Sequence, residues 1–195
     1  MIRVACLVSA LALGTTAFAQ SGGATGTAQG TPQSLSLAAS LQRAYGNIKL
    51  NLTQEADKMP ESDYNFKPGS MPEVRTYGQL FGHVANAQFG TCAVVKGVPN
   101  PNQGVNNEQK ATKAEIVKAL ADSFAFCDDA FSSLTDESAM QKVKQGQNEV
   151  TRAAALSALI AHSNEMYGTG AVYLRMKGIV PPSTERMQGR GRGGE

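Results

Sequence analysis

The chain has 195 residues, of which 42% are hydrophobic and only 17% charged, enough apolar material for one core of ordinary domain size. Eighteen lysines and arginines against 16 acids leave a formal net charge of +2, a balance that argues against a nucleic-acid partner or a surface drawn strongly to membranes.

The first residues read as a targeting segment. Met1-Ile2-Arg3 is a short positive start, Val4 to Leu13 is almost continuously apolar, and Ala17-Phe18-Ala19 has the small-x-small form of a signal-peptidase site. Residues 1–19 are therefore expected to be a cleaved signal peptide and the protein to be periplasmic or secreted. The apolar run breaks at Gly14-Thr15-Thr16, short of the about 20 residues an anchor needs, so no membrane span is expected after cleavage. Cys6 stands too close to Met1 to be a lipoprotein cysteine. Residues 20–33, rich in Gly, Ser, Thr, Ala and Gln, have nothing to bury and read as a disordered linker.

Four helical segments follow. Between residues 34 and 59, Leu41, Tyr45, Ile48, Leu52 and Met59 recur at helical spacing. Pro60, Pro68, Gly69 and Pro72 then impose a loop that carries Tyr64 and Phe66. Thr76-Tyr77-Gly78-Gln79 has the form of a capping box, and Tyr77, Leu80, Phe81, Val84, Gln88, Cys92 and Val95 trace a second stripe that ends at Gly97 and Pro99. Residues 97–111, rich in Asn, Gln, Gly and Pro, are long enough to cross from one end of a bundle to the other. Thr112-Lys113-Ala114-Glu115 is another capping box, leading into Val117, Leu120, Phe124, Cys127, Phe131 and Leu134. After the polar stretch 135–150, Leu156, Leu159, Ile160, Ser163, Met166, Tyr167, Gly170, Tyr173 and Leu174 mark a fourth helix, ended by Gly178 and Pro181-Pro182. No strand-length alternation stands out. The expected fold is all-α, a four-helix bundle over residues 34–183, because each apolar stripe needs another to cover it. Residues 184–195, with Arg186, Arg190 and Arg192 among glycines, look like an RGG-type RNA-binding segment but read as a disordered Arg/Gly tail on an exported chain.

The chemistry is sparse. His83 on the second helix and His162 on the fourth are the only histidines, and each falls beside an apolar stripe. The chain has no Ser/His/Asp arrangement of recognisable spacing, no C-x-x-C, no phosphate-binding glycine loop and no H-E-x-x-H. A nucleophilic enzyme is without support, and the catalytic residues are unknown. Cys92 and Cys127 survive signal removal, and an exported even pair commonly oxidises, so a disulfide is expected. The alternative is two separate buried thiols packing as small hydrophobes. Asn51-Leu52-Thr53 fits a glycosylation sequon but lies inside a predicted helix.

Two separated runs carry a resemblance. Met59-Pro60-Glu61-Ser62-Asp63-Tyr64-Asn65-Phe66-Lys67-Pro68 with Arg75-Thr76-Tyr77-Gly78-Gln79-Leu80-Phe81-Gly82-His83-Val84-Ala85-Asn86-Ala87-Gln88 is similar to the first half of a DinB-like domain. His162-Ser163-Asn164-Glu165-Met166-Tyr167-Gly168 and Tyr173-Leu174-Arg175-Met176-Lys177-Gly178-Ile179-Val180-Pro181-Pro182-Ser183 resemble the last helix and exit of exported members. The resemblance covers about residues 35–183. It implies a four-helix bundle with a long connection between the second and third helices, and a divalent metal, zinc or nickel, held by three histidines. In that pattern one ligand matches His83 and two, at i and i+4, match His162 and position 166.

Position 166 is Met, and a thioether is a poor third ligand for zinc or nickel. Glu165 could substitute only by reaching round from farther off the stripe. A His, His, Met set would suit Cu(I) instead. The family also includes cytosolic thiol-dependent transferases, whose small-thiol cosubstrates belong to a reducing compartment, and export argues against that activity here. The expectation is an exported bundle with a degenerate two-histidine site, metal retention weak or absent, acting as a binding or interaction module for a small molecule or protein. A metal-dependent transferase or hydrolase using His83 and His162 is the alternative, and a homodimer stays open.

Overall fold

The computed structural model describes residues 34–192. The expected signal peptide, the linker through residue 33 and the last three residues of the tail lie outside the described residues.

Helix α1, Leu37–Lys58, starts at Ser36, whose side chain accepts from the Ala39 amide and so satisfies one of the donors a helix start leaves free. Both sequence-predicted capping boxes are formed. Thr76 and Gln79 bond each other's backbone amides at the start of α2, Tyr77–Lys96, and Thr112 and Glu115 do the same at the start of α3, Lys113–Ser132. Gly97 closes α2 with φ +67°, in the left-handed region open to glycine at little cost. The fourth long helix is Arg152–Met176, capped by the Thr151 side chain.

These four helices form the expected bundle. α1 packs against α3 and against the Arg152–Met176 helix, α2 packs against the same two, and α1 barely touches α2. Consecutive α1 and α2 therefore lie on a diagonal. Gly78, at the start of α2, abuts Ile116, at the start of α3, while Cys92 and Cys127 meet near their ends. The two helices thus run parallel, which obliges residues 97–112 to travel back along the bundle, as the long connection was expected to do. The interior is filled by the predicted stripes, with Tyr77, Phe81, Phe124, Phe131, Ile48, Leu52 and Leu156 fully buried. Tyr45 stacks on Phe131 at 3.8 Å. At the end of α1, Tyr64 and Tyr77 donate their hydroxyls to the Ala56 and Glu55 carbonyls, each at 2.5 Å.

Two features depart from expectation. The polar stretch 135–150 is ordered into α4, Asp136–Ala139, and an antiparallel hairpin of β1, Lys142–Gln145, and β2, Asn148–Thr151. Gly146, at φ +62°, opens the two-residue turn, the Gly-x form that suits a hairpin. In chain order the Arg152–Met176 helix is thus α5. Residues 182–192, of which those from 184 were expected to belong to a disordered tail, form helix α6, Pro182–Arg192. Pro182 does not merely stop α5; it opens α6 at the first helical position, where its missing N–H costs nothing. α6 is fastened to the bundle by Tyr167, whose hydroxyl donates to Ser183 Oγ at 2.7 Å and accepts from the Ser183 amide at 3.0 Å. No described helix is long and apolar enough to cross a membrane.

Candidate functional site

His83 lies in the second turn of α2 and His162 near the middle of α5, two helices that pack side by side. Their rings meet edge to face with centroids 4.9 Å apart. Both are partly open to solvent, at 27% and 29% side-chain exposure, so the pair sits at the rim of the bundle and not in its core.

A third residue, Glu108, arrives from the long connection. Its Oε1 lies 2.7 Å from His83 Nδ1 and its Oε2 accepts from Arg75 Nε at 2.8 Å. The close approach that brings it there is written into α2. A Cβ at Gly82 would stand 2.5 Å from the Asn107 carbonyl oxygen and 2.8 Å from the Glu108 nitrogen, so only a bare helix backbone lets this turn settle beside His83. One turn along, Asn86 Oδ1 accepts from the Asn107 amide at 3.1 Å and its side-chain nitrogen at 2.9 Å, and Asn86 Nδ2 donates to Asn106 Oδ1 at 2.9 Å. Asn107 is buried by this clasp.

Partial burial works to raise the Glu108 pKa, but the hydrogen bonds from Arg75 and His83 and their charges outweigh it and hold the carboxyl below its usual value. As a carboxylate, Glu108 accepts from His83 Nδ1 when that nitrogen carries the proton. His162 is pushed the other way by loss of solvent first and by the neighbouring His83 second, with Glu165 opposing, so its imidazole is kept neutral at physiological pH.

The remaining expected site residues fall differently. Met166, one turn beyond His162 on α5, is buried in the hydrophobic core. Glu165 places Oε2 3.7 Å from His162 Nδ1 and keeps 70% of its side chain in solvent, so it stands behind the ring and not as a third ligand beside the two. Among the described residues no group of three His, Cys, Asp or Glu could hold a metal ion. The donor set thus does not fit the three-histidine centre that the resemblance implies for zinc or nickel. What the structure shows at His83 is a carboxylate on Nδ1 that is itself backed by an arginine. Cys92 and Cys127 face each other at disulfide distance, with Cα atoms 5.4 Å apart.

Sequence reasoning brought His83 and His162 together but missed Glu108 and the role of Arg75. One signal was present: Glu108 is the only acid between Glu73 and Glu115, stranded in an asparagine-rich loop.

The pieces define a class: an all-α bundle with a long crossover between its second and third long helices and a histidine pair near one rim. The family model described as the DinB superfamily matches residues 50–169, more than half of the chain, and the protein belongs to that superfamily. Among solved structures it is similar to a DinB-like protein from Bacillus cereus, with 15% identity, a TM-score of 0.60, and 73% of this chain and 93% of the other covered. It is also similar to a DinB-like protein from Bacillus subtilis, with 17% identity, a TM-score of 0.56, and coverage of 71% and 92%. At such identities the likeness speaks for the fold alone. The comparison with curated proteins finds no match.

Proposed function

We propose that this protein is an exported DinB-like bundle that binds and does not catalyse, an interaction module whose two-histidine centre has kept an outer shell and lost its third strong donor. The observation that carries this reading is the buried thioether of Met166 at the position where a third imidazole would be needed, with Glu165 largely in solvent beside His162. Removing one strong ligand costs a metal site much of its affinity. The competing reading, a metal-dependent transferase or hydrolase built on His83 and His162, is favoured by the Glu108 hydrogen bond, since carboxylate-backed histidine is a common outer-shell pattern in metal sites.

One experiment separates the two. The native protein, Met166→His and His83→Ala are purified without chelators and analysed for bound metal. The expected result is little zinc or nickel in the native protein and a gain toward about one equivalent in Met166→His. About one equivalent already present in the native protein, and lost in His83→Ala, would overturn the module reading in favour of the metalloenzyme.

A further inference from the structure

Away from the histidines, α1 and α6 run side by side and leave a cleft of about 430 Å³. Three arginines line it, Arg43 from α1 and Arg186 and Arg190 from α6, and none of its lining residues is a carboxylate. On α1 the lining positions recur at helical steps from 43 to 51, and on α6 from 183 to 190, so each helix turns one whole face to the opening. The acid nearest in sequence, Glu185, is turned out of the cleft and paired with Lys58 at 2.5 Å. None of the three arginines takes part in an ion pair among the described residues, whereas Lys49, Lys58, Arg75 and Lys177 each find a carboxylate.

The Arg186 guanidinium is nonetheless held in place. It donates to Gln54 Oε1 and Asn51 Oδ1, two neutral amides of α1, which orient the charge without cancelling it. Ser183 Oγ already accepts from Tyr167, so its own hydroxyl proton is the one left to donate. Three like charges around one opening repel each other, and an anion placed among them relieves that repulsion. Guanidinium forks match the oxygens of a phosphate better than a point charge does.

We propose that this cleft is a binding site for a phosphate group, presented either by a soluble phosphorylated molecule or by a phospholipid headgroup. Leu50 and Met187, both largely exposed at the cleft, supply an apolar surface beside the arginines for whatever carries the phosphate.

The test uses the purified protein and the double variant Arg43→Gln/Arg190→Gln, which spares the amide-clamped Arg186 and so the seat of α6. Inorganic pyrophosphate is titrated by calorimetry at about 50 mM salt, where phosphate contacts are strong. In parallel, vesicles containing phosphatidylglycerol are compared with pure phosphatidylcholine vesicles in a sedimentation assay. The expected result is saturable binding that weakens about tenfold or more in the double variant, whose thermal midpoint stays with that of the parent. Pyrophosphate binding without vesicle binding assigns a soluble ligand, and phosphatidylglycerol binding without pyrophosphate binding assigns a headgroup. Binding of neither probe, or binding undiminished in the double variant, overturns the proposal.

Discussion

Glu55 is the residue whose environment contradicts its chemistry most sharply. It lies on the apolar stripe of α1, fully buried, and neither carboxyl oxygen has a hydrogen-bond partner. It fits because α5 offers Gly170, where a Cβ would come within 2.9 Å of the Glu55 carboxyl carbon. Loss of solvent pushes its pKa up to about 9, with Arg175 only partly offsetting the rise. The folded protein thus holds a proton there that the unfolded chain releases at an ordinary carboxylate pKa. Stability from this group is fully present below that ordinary value and is lost as pH climbs toward about 9. Urea unfolding compared at about pH 6 and about pH 8, inside that window, is expected to show a decline on the order of 3 kcal/mol. Glu55→Gln should flatten the decline; an equally steep profile in the variant would place the cause elsewhere. The spacing alone places Glu55 on the stripe of Leu41, Tyr45, Ile48 and Leu52, but a lone glutamate there reads as a charge at the boundary of the core, and only the glycine opposite it on α5 shows that it is buried.

The pairing of α2 with α3 is where an element-scale expectation is most open to measurement. A Cys92 to Cys127 bond would close a loop of 35 residues in separation, and constraining the unfolded chain by that much is worth about 3–4 kcal/mol if the bond is unstrained. A non-reduced digest is expected to yield the two cysteine peptides cross-linked, and reduction to lower the unfolding midpoint. Two freely alkylated thiols in oxidised, unfolded protein would reject the bond. The long helices and their caps were legible because their signals are local: the stripes of α2 and α3 obey helical spacing, and each capping box lies within four residues. The hairpin was hidden because it is small, with only Val143 and Val150, paired across the strands, giving it a hydrophobic side. Helix α6 was hidden because glycines and arginines promise disorder, and its order depends on contacts with α1 and α5 that no local pattern records.

For the molecule as a whole, compartment governs the redox argument. The mature chain is expected to begin at or near Gln20, after Ala17-Phe18-Ala19, and intact-mass measurement of the exported protein checks this. A mass retaining residues 1–19 would remove the ground for periplasmic or secreted location and for an oxidising environment together. The candidate site shows a different dependence, on topology. Both histidines stand on helices of the bundle, but Glu108 is carried by the returning segment 97–112, which is fastened near the site by asparagine side chains more than by apolar packing. Such a segment can open as a cooperative unit of its own, at a free-energy cost below that of unfolding the helices beneath it. Each opening would withdraw the carboxylate from His83 Nδ1 while the imidazole pair stayed where it is. On that argument the site would have two lifetimes, a long one for its rings and a shorter one for the anion beside them.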